Sequence, residues 1–124
     1  MECKRILRTN GVNLMDFRNL DEDHVSTAYK ELAETDDEHG ELSGQIKYLE
    51  EAMKQAKAHE FLKSDGTVAE RHEKAIASDS YDIAVKEWIQ AYKKFKILDN
   101  KRNSQARIFD MFQTLSANRR KGML

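Results

Sequence analysis

Residues 23–63 and 80–120 each repeat apolar side chains at alternating steps of three and four. In the first stretch the steps connect Val25, Ala28, Leu32, Thr35, His39, Leu42, Ile46, Leu49, Met53 and Ala56. In the second they connect Tyr81, Ala84, Trp88, Ala91, Phe95, Leu98, Arg102, Gln105, Phe109 and Phe112. A seam of this kind over more than four heptads is the mark of a long helix that packs against another. At 1.5 Å per residue each helix is about 60 Å long. The chain of 124 residues has no proline, and 35% of it is charged. Proline-free, Ala/Glu/Lys/Leu-rich chains suit long helices and argue against sheets, which use proline at turns and edges. The expected fold is all-α: one domain, 1–124, dominated by a long antiparallel helical hairpin.

The sequence between the long stretches supplies stop and start signals. Ser64-Asp65-Gly66 ends the first helix, with Gly66 free to take the left-handed conformation. Thr67-Val68-Ala69-Glu70 fits a capping box that starts a connector helix over 67–77. Ser78-Asp79-Ser80 then caps the second long helix. A short connector folds the two helices back on each other. If facing residues have numbers that add to about 141, Met53 meets Trp88, Ile46 meets Phe95 and Ala28 meets Phe112. The same register sets His39 against Arg102 and Thr35 against Gln105, a polar layer within the seam. Gly40 and Gly44 lie beside it and permit a close approach or a bend. Residues 1–20 form a smaller N-terminal element, with Asn10-Gly11 as a turn and a short helix over 13–19.

Charge is distributed unevenly. Residues 16–51 carry three basic and twelve acidic side chains, for −9; residues 86–124 carry ten and three, for +7. Such a chain can pair its own halves, dock head to tail on a copy of itself, or offer a basic surface to a polyanion. Intramolecular pairing across the hairpin is the plainest expectation. Surplus apolar residues on the second long helix, Val85, Ile89, Tyr92, Ile97, Ile108, Met111 and Leu115 among them, predict a homo-oligomer.

No catalytic motif is present, so the expectation is a protein that is not an enzyme and needs no cofactor. His24, His39, His59 and His72 have no metal-site spacing, and His72 beside Glu70 and Glu73 reads as an exposed helical histidine. The acids Glu34, Asp36, Asp37, Glu38 and Glu41 lack the glycine and spacing of a calcium loop. Cys3, the sole cysteine, allows no internal disulfide. No apolar run approaches the roughly 20 residues of a membrane span. Met1-Glu2-Cys3-Lys4-Arg5 precedes only Ile6 and Leu7, so neither a signal peptide nor a membrane partner is expected, and the reading is cytoplasmic.

The strongest functional signal is basic. Lys86, Lys93, Lys94, Lys96, Lys101, Arg102, Arg107, Arg119, Arg120 and Lys121 lie on the second long helix with aromatic residues among them. Cations along a helix can follow a phosphate backbone, driven by counterion release.

The stretch Phe61-Leu62-Lys63-Ser64-Asp65-Gly66-Thr67-Val68-Ala69-Glu70-Arg71, then Ala77-Ser78-Asp79-Ser80-Tyr81 and Ser116-Ala117-Asn118-Arg119-Arg120, resembles small all-helical phage recombination accessory proteins. The layout over residues 45–120 is similar to that of the UvsY-like recombination mediators. That resemblance implies an oligomer that binds single-stranded DNA and helps load a recombinase against a single-strand-binding protein. Carried onto this chain, it implies a DNA-facing surface of Lys93, Lys94, Lys101, Arg102, Arg107, Arg119 and Arg120. It does not account for the acidic segment. An alternative of a different class is a protein-binding adaptor or inhibitor that acts through the acidic helix, for example by imitating the charge of DNA.

Overall fold

The computed structural model describes residues 20–122. The N-terminal turn and short helix, Cys3, and the apolar residues Ile6, Leu7, Leu14 and Phe17 lie outside the described residues. Three helices follow: α1 (Glu22–Lys63), α2 (Val68–Ile76) and α3 (Asp79–Arg120). No strand occurs among the described residues. The two long helices pack against each other with the short one between them in sequence, so the fold is the expected all-α hairpin.

Local chemistry sets each helix end. Asp21 caps α1: its Oδ1 accepts from His24 N at 3.1 Å, and His24 Nδ1 accepts from Asp21 N at 3.3 Å. This reciprocal pair satisfies two backbone donors in the way of a capping box, with histidine in the place of glutamate. Thr67 caps α2 by accepting from Glu70 N at 3.2 Å. Ser78 caps α3, its Oγ accepting from Tyr81 N at 3.3 Å. Gly66 has φ +117°, and a Cβ there would collide with the Glu70 carboxylate. The last carbonyls of α1 also find donors: Arg71 Nε donates to Phe61 O at 3.1 Å, and its guanidinium sits 4.1 Å above the Phe61 ring.

The contacts cluster into two compact units, Met1–Asp36 with Asp99–Leu124, and Asp37–Leu98. In the first, Leu20, Ala28 and Ile108 form a buried cluster, covered by Val25, Phe109, Met111, Phe112 and Leu115. Leu20 is 2% exposed, and burying a leucine to this degree contributes about 2 kcal/mol. In the second, Ile46, Leu49 and Ala91 are buried under Trp88 and Phe95.

The apolar pairs Ile46–Phe95 and Ala28–Phe112 of the expected register fall in common clusters, while the polar layer is joined differently from the expectation. The His39 ring lies 5.1 Å from that of Phe95. Arg102 instead donates to Thr35 Oγ1 at 2.8 Å, to Leu32 O at 2.7 Å and to Asp36 Oδ1 at 3.1 Å. Thr35 is thus bonded to Arg102 where the expected layer set it against Gln105, because the long guanidinium side chain reaches along α1 to it. Gly40 and Gly44 do not mediate a close approach within the hairpin. Both are exposed, with nothing within 4 Å of an added Cβ.

Candidate nucleic-acid interface

Along α3 the seam residues take the inner face, so the lysines between them are turned outward. In the unit formed by Asp37–Leu98, Lys86, Lys93, Lys94 and Lys96 are all exposed. Lys86 is engaged by Asp82 at 2.8 Å, one turn earlier, and that bond raises its pKa above the usual lysine value. Lys93, Lys94 and Lys96 make no ion pair among the described residues. Among them Trp88 and Tyr92 stack with centroids 5.0 Å apart and planes 19° apart. Trp88 is half-buried, while Tyr92 is 39% exposed. The helix that carries the three free ammonium groups thus also carries a partly exposed aromatic edge.

The other predicted cations lie in the unit that contains the last part of α3. Lys101, Arg119 and Arg120 are exposed there. Arg107 is exposed and donates to Ser104 Oγ at 3.2 Å. Arg102 belongs to the seam. Its side chain is 18% exposed and committed to α1, which leaves no free fork for a phosphate.

The acidic helix does not neutralise this lysine face as the plainest expectation had it. Arg102–Asp36 crosses between the long helices at 3.1 Å. Lys30–Glu34, Lys54–Glu51 and Lys63–Glu60 instead join neighbours on one helix. Asp37, Glu38 and Glu41 face solvent with no ion pair among the described residues.

His72 stacks on Phe61 at 4.7 Å, beside an open groove of about 380 Å³ lined by Lys54, Lys57, Ala58, Phe61, Leu62 and His72. Sequence reading missed this groove. Its one signal was Leu62, an apolar residue outside the seam. No three His, Cys, Asp or Glu converge on a metal position among the described residues. No described helix is long and apolar enough to cross a membrane. No family model, curated protein or solved structure matches the chain.

Proposed function

We propose that this chain is a non-enzymatic accessory protein of DNA recombination, of the phage type. In this reading it works inside the cell, binds single-stranded DNA without sequence preference, and acts as an oligomer alongside recombination proteins. The observation that carries it is the set of exposed ammonium groups of Lys93, Lys94 and Lys96, free of ion pairs among the described residues, on the helix that also carries the stacked Trp88–Tyr92 pair. Flexible ammonium groups follow phosphates of any sequence, and an exposed aromatic edge accepts any base. Lys101, Arg107, Arg119 and Arg120 supply further phosphate contacts in the unit that contains Asp99–Leu124. One hairpin offers few contacts, so useful affinity requires several copies on one strand.

A second reading draws on Asp37, Glu38 and Glu41, which are exposed and unpaired. It makes the chain an adaptor or inhibitor that engages a basic protein through α1. Fluorescence anisotropy with a labelled single strand at low salt separates the two. Replacing Lys93, Lys94, Arg119 and Arg120 by Ala abolishes binding in the first reading. In the second, the parent shows no binding to the strand, and neutralising Glu34, Asp37, Glu38 and Glu41 removes capture of the basic partner.

A further inference from the structure

In the unit formed by Asp37–Leu98, two outward stripes match each other in chemistry. On α1 the residues half a turn from the core are Asp37, Glu41, Gly44, Tyr48, Glu51 and Gln55, spaced by three and four, and every one is exposed. Tyr48 is 72% exposed within this acidic row. On α3 the corresponding outward face holds Ile83, Lys86, Ile89, Lys93, Lys96 and Ile97. Ile83 and Ile97 are 57% and 73% exposed. One stripe is acidic with an aromatic anchor, and the other is basic with aliphatic anchors.

We propose that the outward face of α3 is a docking surface for the acidic α1 stripe of a second copy of this chain. An acid-free apolar face would accept any greasy partner, and a purely basic one any polyanion. Alternating isoleucine and lysine favours an amphipathic acidic helix, because its aromatic ring covers the isoleucines while its carboxylates reach the lysines. The best match is antiparallel. With facing numbers that add to 137, Glu41 meets Lys96 and Tyr48 meets Ile89, while Glu51, already bonded to Lys54, faces Lys86, already bonded to Asp82. Glu41 and Lys96 are both exposed and free of ion pairs among the described residues, so neither has to leave a partner to dock. The two stripes lie on different faces of one chain. The contact is therefore heterologous and builds rings or open chains rather than a closed two-fold dimer. The docking does not rest on the reading of α3 as a strand-binding face.

The test is sedimentation and light scattering at roughly 0.05 M and 0.5 M salt, chosen because Debye screening shortens about threefold between them. The parent associates beyond a dimer at low salt and dissociates at high salt. Glu41→Lys alone and Lys96→Glu alone each lose association, with circular dichroism unchanged. An equimolar mixture of the two variants regains it, because each then offers the other an opposite charge. A parent that stays monomeric at low salt, or a mixture that stays dissociated, overturns the docking. If a single-stranded oligonucleotide does not bind at all while the charge swap succeeds, the DNA reading fails and the docking between copies stands.

Discussion

Arg102 donates from Nη1 to the hydroxyl of Thr35 at 2.8 Å across 67 residues of sequence, and the Thr35 hydroxyl in turn donates a hydrogen bond to the carbonyl of Glu31 at 2.8 Å. A guanidinium with 18% exposure thus joins two helices through a side chain that is itself anchored to the backbone. The relationship makes Arg102 a register-setting residue, although it lies in the most basic part of the chain.

Replacing Arg102 by Ala removes three hydrogen bonds, one of them to a carboxylate. The expected cost is about 2 kcal/mol. Thr35→Val costs about 1 kcal/mol. Urea unfolding of both single variants and the double variant gives a double cycle. The account expects the double variant to be less destabilised than the sum of the singles, since the two share a bond. Strand affinity, measured where each variant is still folded, stays at the parental level.

Glycines separate by location. Gly40 and Gly44 occupy exposed helix positions with open space around an added Cβ, so alanine at either should stabilise by about 1 kcal/mol. Gly66 has φ +117° and the Glu70 carboxylate beside it, so Gly66→Ala should destabilise by more than about 1 kcal/mol. Thermal melts at high salt measure all three, and opposite signs are the expected outcome.

Asp21 contributes a pH-dependent cap. The backbone hydrogen bond from His24 holds its carboxyl below its ordinary value. A depressed acid stabilises the fold fully above its unfolded pKa, and that stability is lost as pH falls through the folded one. The window lies on the acid side of about 3.8. Asp21→Asn keeps an acceptor for His24 N but cannot titrate. Melting followed from neutral pH into acid should therefore fall less steeply for this variant than for the parent. Equal slopes would remove the role of the Asp21 charge.

Much of the fold was legible because the signals were local. The heptad steps from Val25 to Ala56 and from Tyr81 to Phe112 depend only on spacing, and the Thr67 cap depends only on its next three residues. The Asp21–His24 cap went unread because histidine is an uncommon third-position acceptor. The partners of the polar layer were not legible: His39 beside Phe95 and Arg102 bonded to Thr35 depend on which side-chain atoms meet across the hairpin. For the same reason, sequence could count Arg102 among the surface cations but could not show that α1 takes up its guanidinium. Lys93, Lys94 and Lys96 were legible as outward because they fall between seam positions. Their freedom from Asp37, Glu38 and Glu41 was not, because it depends on which way both helices turn.

The central claim is that the free cations of α3 bind single-stranded DNA through its phosphates. Its most direct test is the salt dependence of affinity for an unstructured single strand, measured by anisotropy for the parent and for the variant with Lys93, Lys94, Arg119 and Arg120 replaced by Ala. The account predicts that log K falls linearly with log salt, with a slope of about −0.7 for each phosphate neutralised. It predicts a shallower slope for the variant, similar weakening for every base composition, and unchanged helix content. No binding by the parent at low salt, or an identical slope in the quadruple variant, would contradict it.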